Sequence, residues 1–443
     1  SYSQSNSSIQ EFIMEIFFKL KERNTTVGKE ITGGITTFLS MVYILALHPG
    51  MLEKCGNGMT FNAVFTATAV SAGIATLVMA FIANLPIALA PGLGLNAFFT
   101  YTIVLGEGYS WQFALTAVFI EGLLFVILTL TNIRSWIVDA IPVSIKNAIG
   151  AGIGLFVALI GMQNSGIIVS DPSTLISLGD VTSGSALLAL IGLLITVPLM
   201  VKKVPCALLI GIFITTLAGI PMGITEWHGF VSMPPSVSST FCQFELSNIL
   251  CPDMLVVVAT MLFLDIFDTM GSLVAICTQA GLTEKDGTIP RINRAFMADS
   301  LATIFGAIVG TNTTTTYIES ASGVSAGGRS GLASAVTAFC FVLALFFAPL
   351  FLAVPSAATA PVLIIVGLMM LKPIKDLPLD EFSESVPAFI TLITIPMAYS
   401  ISDGIMLGVI SYTIINALCG KFKKVSIAMW VLTVCFICRY ALL

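Results

Sequence analysis

The chain has 443 residues, of which 56% are hydrophobic and only 10% are charged, and its mean hydropathy is +0.99. This composition excludes a soluble globular domain. The apolar residues form many runs of membrane-spanning length, without the alternation of β-barrel strands. We therefore expect an all-α polytopic membrane protein, and the formal net charge of −5 says little about partners.

The cysteines give no sign of a metal site, because the nine of them are scattered without a Cys/His cluster. Cys242 and Cys251 share a long hydrophilic segment, so an external disulfide and two free thiols both stay open. The polar N-terminal stretch SYSQSNSSIQ has no signal-peptide pattern. We expect no cofactor, no enzymatic nucleophile–base pair and no nucleic-acid partner.

Hydropathy and turn residues predict fourteen spans. They lie near residues 31–48, 62–84, 86–103, 112–132, 148–168, 185–201, 205–220, 254–276, 295–309, 311–328, 331–352, 355–371, 386–401 and 403–419. With a cytoplasmic N-terminus, seventeen of the nineteen Lys and Arg residues fall in inside segments. One miscounted span would place every later loop on the opposite side of the membrane, so this bias supports both the count and the orientation. The end of span 14 is then also cytoplasmic.

The fourteen spans divide into two sets of seven. Because seven is odd, the second set runs opposite to the first, which predicts an inverted repeat of residues 28–220 and 254–421. A cytoplasmic tail precedes it (1–27), an external segment joins its halves (221–253) and a hydrophobic helix follows it (422–443). Within that helix, residues 425–443 are able to span the membrane, but we favour an interfacial position beside the basic KFKK sequence.

Two stretches interrupt the helical pattern at matching positions of the two halves. The run 310–331, GTNTTTTYIESASGVSAGGRSG, has four β-branched threonines that favour extended backbone, followed by Glu319 and a Gly-rich run. The stretch 84–103, NLPIALAPGLGLNAFFTYTI, is broken by Pro and Gly. We predict a short strand in spans 3 and 10, at a substrate site of a transporter. A bent helix at the threonines, or two merely kinked helices, are the alternatives.

Ionisable groups inside spans cost about 2.5–3.5 kcal/mol on insertion scales, so each is a site candidate. Asp265 and Asp268 share one face of the eighth span, and two neighbouring acids cannot both ionise cheaply, which suits proton coupling. A structural role is the alternative and weighs more for Asp265. Glu319 either caps a helix or accepts N–H groups of a substrate, and we favour the ligand role.

Other residues rank lower. Glu121 and Asp299 are expected to be hydrogen-bond partners in helix packing, and His48, next to Pro49, is expected in a turn near the outer membrane edge. Phe267 and Phe98 are candidates to stack on a planar ring, although most of the 30 phenylalanines serve packing.

The stretches GKEITGGITTFLSMVYIL, NLPIALAPGLGLNAFFTY, FLDIFDTMGSL and GTNTTTTYIESASGVSAGGRSGLASAV resemble the AzgA-like branch of the nucleobase–ascorbate (uracil/xanthine permease) superfamily, the permeases for hypoxanthine, guanine and adenine. The resemblance runs from about Gly28 to Lys421. It implies a core (28–132 and 254–352) and a gate (148–220 and 355–419). It also implies proton symport of a purine base by an elevator-like movement, with dimers common for this fold.

Matched motif by motif, the family's acidic residues fall on Asp268 and Glu319, and its polar residue of the third span falls on Asn96. The resemblance implies that these three bind the base. We add Phe267, Phe98, Ser320 and Ile318 to the expected binding site, and we expect Asp268, Asp265 or Glu319 to carry the coupled proton. Where the uracil branch has Glu-His-x-Gly, this chain has Asp268-Thr269-Met270-Gly271, and the shorter acid leaves room for a bicyclic purine.

The main alternative is an anion transporter of the same fold, for sulfate, bicarbonate or a dicarboxylate. Carboxylates at both predicted binding positions argue against it, because an anion favours helix N-termini without acids. A channel and a membrane-embedded enzyme are further alternatives.

Overall fold

The computed structural model describes residues 17–131, 141–282, 289 and 291–442. Most of the predicted cytoplasmic tail at 1–27 therefore lies outside the described residues, as do Arg134 and Lys285 of the predicted inside loops.

Helices dominate the first half of the chain. Its helices and strands are α1 (Val27–Met41), α2 (Ile44–Leu52), α3 (Phe61–Ile82), β1 (Leu89–Pro91), α4 (Leu93–Ala97, continued by a π-helix at Phe98–Gly106), α5 (Trp111–Thr131), α6 (Val143–Asn164), β2 (Ile168–Asp171), β3 (Leu175–Leu178), α7 (Gly184–Val201) and α8 (Ala207–Gly219).

The second half has the same character. Its helices and strands are α9 (Pro252–Gln279), α10 (Ile292–Val309), β4 (Thr314–Thr316), α11 (Ser320–Ser325), α12 (Gly331–Ala344), α13 (Ala348–Leu352), α14 (Ser356–Met370), α15 (Phe382–Met397), α16 (Ile401–Leu418) and α17 (Ile427–Leu442).

Ten helical segments of the described residues are long and apolar enough to cross a membrane, starting with Val27–Cys55, which includes α1 and α2. Shorter apolar helices occur at Leu93–Gly106, Ala207–Gly219, Phe382–Met397 and Ile427–Cys438. The prediction of a polytopic α-helical membrane protein is thereby confirmed. Each of the fourteen predicted spans overlaps one of these helices or the β4–α11 pair, while the number that cross the membrane stays a prediction.

The two interrupted stretches pair with each other. Strands β1 and β4 are antiparallel, with Leu89 opposite Thr316, Ala90 opposite Thr315 and Pro91 opposite Thr314. The predicted short strands are therefore confirmed, and the alternative of a bent helix at the threonine run is wrong. Other hydrogen bonds extend the pairing at both ends, from Tyr317 N to the Ala88 carbonyl (3.0 Å) and from Gly92 N to the Thr313 carbonyl (3.0 Å).

Side chains of the surrounding helices form hydrogen bonds with backbone groups that the short strands leave unpaired. The Thr76 hydroxyl of α3 accepts from Leu89 N (2.9 Å) and lies 3.1 Å from the Leu89 carbonyl oxygen. The Thr303 hydroxyl of α10 donates to the Thr314 carbonyl (3.0 Å). Non-helical backbone is tolerated at membrane depth only when protein groups satisfy it, and these threonines meet that requirement.

The helices form two packing groups. In the first, α12 packs on α1 and α3, α10 packs on α3 and α5, and the short α11 lies on α1. In the second, α6 packs on α14 and α15, α15 packs on α16, and α7 packs on α8 and α14. The β1–β4 pair belongs to the first group, since it contacts α3, α9 and α10.

The N-terminus of α12 is held by polar groups from the first half of the chain. The buried Glu30 carboxylate accepts from Arg329 N (2.8 Å), Ser330 N (3.2 Å) and Ala333 N (3.2 Å). The Asn84 side chain accepts from Gly331 N (2.7 Å). These acceptors satisfy amides that a helix start leaves unpaired, and the carboxylate also complements the helix dipole.

Residues 221–251 contain no helix or strand and lie across the ends of several helices. Their backbone is anchored through Ser232 N to the Phe346 carbonyl (2.9 Å) and Cys242 N to the Ile308 carbonyl (2.8 Å). Cys242 is exposed and Cys251 is half-buried, and both are free thiols.

The C-terminal helix α17 packs along α16. The Thr433 hydroxyl donates to that of Thr413 (2.8 Å), and the Tyr440 hydroxyl donates to the Asp403 carboxylate (2.7 Å). The later residue of α17, Tyr440, contacts the earlier residue of α16, Asp403, so the two helices run antiparallel. The interfacial position expected from sequence stays a prediction.

His48 does not lie in a turn, so that sequence prediction is wrong. It lies inside α2, is fully buried, and its Nε2 atom is 2.7 Å from the Thr311 hydroxyl. The helix tolerates Pro49 near its C-terminal end.

The contact between α1 and α11 requires glycine. A Cβ atom at Gly323 would lie 2.4 Å from the Gly33 carbonyl oxygen and 2.0 Å from the Thr37 hydroxyl. Backbone atoms cannot retreat as a flexible side chain can. The approach of α11 to α1 therefore depends on the absence of a side chain at this position.

We expect Gly323→Ala to lower the stability of the detergent-solubilised protein by about 1–3 kcal/mol, the usual cost of overpacking. Gly50→Ala is the matched control, because a Cβ atom at Gly50 has open space within 4 Å and the residue is helical. Thermal unfolding of both variants checks this expectation, and equal melting temperatures would contradict it.

Candidate functional site

The turn between β4 and α11 presents a carboxylate toward α1 and α2. Glu319 is the N-cap residue of α11, but its side chain does not cap the helix. It accepts a hydrogen bond instead from the hydroxyl of Tyr43, at 2.5 Å, and Tyr43 lies between α1 and α2. The capping role weighed for Glu319 is therefore not what its side chain does, and the carboxylate is held in place by a phenol.

A cavity of about 630 Å³ lies beside this turn, between the two packing groups. The first group contributes the α9 residues Phe263, Leu264, Phe267, Asp268, Met270, Gly271 and Ser272, with Gly94, Leu95 and Ile318. The second contributes residues of α6 and the end of α14, including Ile153, Met369 and Met370. The cavity reaches Lys146 and Lys372, which both belong to predicted cytoplasmic segments.

Of the predicted site residues, Asp268, Phe267 and Ile318 line this cavity, and Asp268 and Ile318 are exposed to it. The Asp268 carboxylate interacts electrostatically with that of Glu319 and lies next to Thr315. The structure thus brings the acid of α9 and the acid after β4 to the same region.

Phe267 supplies an aromatic surface at the cavity wall. Its ring packs at 4.4 Å between centroids and 59° against Phe263, and the Lys146 ammonium lies 5.4 Å from its centroid. An aromatic face next to carboxylates suits a planar ligand with polar edges.

Four predicted binding residues do not line the cavity in this conformation: Glu319, which hydrogen-bonds with Tyr43, and Asn96, Phe98 and Ser320. Asn96 is fully buried, with its amide nitrogen 3.3 Å from the Met51 sulfur and its oxygen accepting from Thr100 (3.3 Å). Phe98 is fully buried in the apolar core. The Ser320 hydroxyl accepts from Ala88 N (3.0 Å), so it helps to join the two interrupted stretches. Their binding roles stay predictions.

Asp265 lies in a different environment from Asp268. It is fully buried, and the Thr269 hydroxyl lies 3.5 Å from its Oδ1 atom. Glu121 and Asp299, expected to be packing partners, form a group with Asp265, and all three interact electrostatically. The predicted pair of acids on one helical face is therefore divided between the cavity and the protein interior.

A second, smaller cavity of about 160 Å³ lies on the other side of Tyr43. Its walls are almost entirely apolar and come from α8, α13 and the segment 221–251, with Phe213, Trp227, Phe230 and Phe351 among them. Tyr43 lines this cavity, while Ile318, next to Glu319, lines the larger one. The Tyr43–Glu319 hydrogen bond therefore links a residue that lines the smaller cavity to the chain neighbour of one that lines the larger.

Sequence reasoning missed Tyr43 and Lys146 as neighbours of the site. Tyr43 carries a single polar hydroxyl in an apolar stretch of sequence, and its partner, Glu319, lies 276 residues away. The signal available was the break between α1 and α2, since a phenol beside an interrupted helix in an apolar span needs a partner. Lys146 contributes to the excess of Lys and Arg in the predicted inside segments, and that excess does not indicate a nearby site.

The comparisons with known proteins agree on the family. The family model Xan_ur_permease, described as "Permease family", matches residues 28–407. The guanine/hypoxanthine permease PbuG of Bacillus subtilis is 47% identical over 443 residues, which cover 97% of this chain and 100% of that protein. The adenine permease AdeP of Escherichia coli is 37% identical, over 99% of this chain and 98% of that protein.

Among solved structures, the transmembrane domain of a cyanobacterial bicarbonate transporter, BicA, superposes with a TM-score of 0.66. It covers 85% of this chain and 96% of that domain at 16% sequence identity, so the likeness concerns the fold. The family match and the transporter names of the relatives indicate a non-enzymatic transporter. The chain belongs to the xanthine/uracil permease family.

Proposed function

We propose that this protein imports purine nucleobases, namely hypoxanthine, guanine or adenine, together with protons across the cell's inner (plasma) membrane. The observation that carries the proposal is the pair of interacting acids, Asp268 of α9 in the wall of an aromatic-lined cavity and Glu319 in the turn after β4. The relatives named as guanine/hypoxanthine and adenine permeases support the substrate class.

The chemistry of a purine base fits these groups. Its ring and exocyclic N–H groups donate hydrogen bonds, and carboxylates in a site shielded from water are strong acceptors for them. The Phe267 ring offers a stacking surface. A cavity of about 630 Å³ falls in the range of small-molecule sites, about 300–1,000 Å³. Asn96, Phe98, Ser320 and Ile318 complete the proposed site.

The proposed architecture is a fourteen-span inverted repeat, formed by residues 28–220 and 254–421. Two observations support it. The interrupted stretches occupy matching positions in the two halves and pair in antiparallel fashion. The two packing groups of helices correspond to a core of 28–132 and 254–352 and a gate of 148–220 and 355–419.

The proposed transport mechanism is an elevator-like movement of the core against the gate, which exposes the site to each side in turn. The two cavities support it, because the larger reaches the predicted cytoplasmic Lys146 and Lys372 and the smaller is lined by Trp227 and Phe230 of the predicted external segment. We propose a cytoplasmic N-terminus, a coupled proton on Asp268, Asp265 or Glu319, and a possible homodimer in the bilayer.

An anion transporter remains the second candidate, because the fold is shared with a bicarbonate transporter. The two carboxylates at the site argue against it, since an anion entering there would meet like charges. The two candidates make opposite predictions about inhibitors.

In proteoliposomes with an acid exterior, we expect uptake of radiolabelled hypoxanthine to be reduced by excess unlabelled guanine, adenine or hypoxanthine. Sulfate and bicarbonate at the same concentration should leave it unchanged, and a proton ionophore should abolish accumulation. Uptake of labelled sulfate with no hypoxanthine uptake would establish the anion transporter instead.

Glu319→Gln is expected to weaken uptake at least tenfold, because the amide replaces a charged acceptor with a neutral one. Glu53→Gln is the control, since that carboxylate is exposed on a short 3₁₀-helix away from the site. Initial rates across a hypoxanthine series measure the effect. Unchanged rates and KM in Glu319→Gln would remove the role given to this residue.

Tyr43→Phe tests whether the phenol positions the Glu319 carboxylate. Hydrogen bonds to charged groups contribute about 1.5–3 kcal/mol, so we expect KM to rise about tenfold with a smaller effect on the maximal rate. Tyr109→Phe is matched to it, because the Tyr109 hydroxyl donates to the Asp253 carboxylate at the same 2.5 Å, outside the site. A KM that changes equally in both variants would contradict the positioning role.

A further inference from the structure

Three acids lie behind the strand pair, away from the cavity wall. Glu121 of α5, Asp265 of α9 and Asp299 of α10 are all 0% exposed. They come from three different helices and meet next to the threonine run, where the Thr313 hydroxyl donates to Glu121. The proposed binding site does not need three further acids, and ionic side chains in a membrane interior are costly.

The hydrogen bonds of these acids are incomplete. The Thr313 hydroxyl donates to Glu121 Oε2 (2.6 Å) and the Thr269 hydroxyl donates to Asp299 Oδ2 (2.6 Å). Glu121 Oε1, Asp265 Oδ2 and Asp299 Oδ1 are buried and have no hydrogen-bond partner among the described residues. Buried polar atoms are nearly always paired, so three orphaned oxygens in one group require an explanation.

A proton bound by one of these carboxyl groups donates to a second one, which accounts for two of the three oxygens. The Glu121 and Asp265 carboxyl groups are neighbours that interact with each other, but two carboxylates only accept hydrogen bonds, so a hydrogen bond between them needs a proton on one member. Three adjacent negative charges without solvent would also repel one another strongly. No group of three acids, histidines or cysteines among the described residues has the geometry to hold a metal ion, which favours a proton over a metal.

We infer that Glu121, Asp265 and Asp299 form the site that stores the coupled proton, separate from the carboxylates that bind the substrate. This inference rests on the proposed function, because it locates the proton of the proposed symport. It changes the role expected from sequence for Glu121 and Asp299, which become proton-binding groups.

Two threonine hydroxyls connect the proton-storage acids to the cavity. The Thr269 oxygen lies 2.6 Å from Asp299, 3.5 Å from Asp265 and 2.8 Å from the Thr315 oxygen. Thr315 is in turn a neighbour of Asp268, which is exposed to the cavity. The hydrogen bonds therefore run from Asp299 through Thr269 to Thr315, and Asp268 is the acid next to Thr315 that faces the cavity.

Each hydroxyl has one hydrogen, so these hydroxyls transfer a proton by reorientation. A proton leaves Asp268 for the Thr315 oxygen, the Thr315 hydrogen passes to Thr269, and the Thr269 hydrogen passes to Asp299 or Asp265. One O–H bond breaks and one forms at each step. The net result is the transfer of one proton from the cavity to the buried acids, and Asp268 regains the charge with which it accepts a purine N–H group.

The test compares coupled transport with exchange. Glu121→Gln and Asp299→Asn keep the side-chain shape and supply an amide donor, which imitates the protonated state permanently. We expect stimulation of hypoxanthine uptake by an inward proton gradient to fall about tenfold or more, while exchange of internal for external hypoxanthine without a gradient stays within about threefold of the wild type.

Glu384→Gln is the matched control. Glu384 is also a buried acid, but it is fully paired, with donors Ser144 (2.5 Å), Tyr412 (3.0 Å) and Lys424 (3.1 Å). We expect this variant to retain the gradient response.

The outcomes separate the two proposals. A wild-type protein without gradient-driven purine uptake would overturn the proposed function. If the proton gradient stimulates uptake equally in the wild type, Glu121→Gln and Asp299→Asn, only the storage site is overturned. Folded variants that lose exchange together with gradient-driven uptake would also overturn it, because the acids would then belong to the binding site.

Infrared spectra of the wild-type protein provide a measurement that needs no variant, in case the amide substitutions prevent folding. A protonated carboxyl group shielded from water gives a carbonyl stretch whose deuterium shift develops slowly in D₂O. We expect this band at neutral pH, and its absence would overturn the storage site.

Discussion

The antiparallel pairing of Leu89–Pro91 with Thr314–Thr316 is the constraint on which the site depends. Each stretch leaves the helical conformation in the apolar interior, where an unpaired peptide group costs several kcal/mol. Neither stretch satisfies its own backbone, so each is stable only beside the other and beside threonines of the neighbouring helices. A chain that must pair residue 90 with residue 315 thereby brings its two halves together at one point.

That pairing also determines where the polar side chains lie. The turn after β4 directs Glu319 toward Tyr43, and Thr315 lies between Asp268 and Thr269. Ser320 ties the turn back to Ala88. The Glu319 carboxylate is consequently held from both halves of the chain. The groups that orient it all belong to the same packing group.

Much of the fold could be predicted from the sequence, because membrane insertion imposes simple rules. Apolar runs and turn residues located the helices, and the stretches interrupted by Gly, Pro and the threonine run located the strands. Long-range side-chain partners were not predictable. Tyr43 and Glu121 each meet a group 192 or more residues away, and no spacing links such positions. His48 was misread because Pro49 suggested a turn, whereas a proline near the end of a helix needs only a local adjustment.

The threonine run shows why residue type and backbone propensity must be considered separately. All four threonines from 313 to 316 are at most 3% exposed, and valine would favour an extended backbone at least as well. Yet each hydroxyl has a polar neighbour: Thr313 meets Glu121, Thr314 meets Ser71, Thr315 meets Thr269 and Thr316 meets Ser272. A buried hydroxyl without a partner is costly, so four in succession persist only where polar groups surround the strand on both faces. The strand therefore separates the cavity from the buried acids by hydroxyl groups instead of an apolar wall.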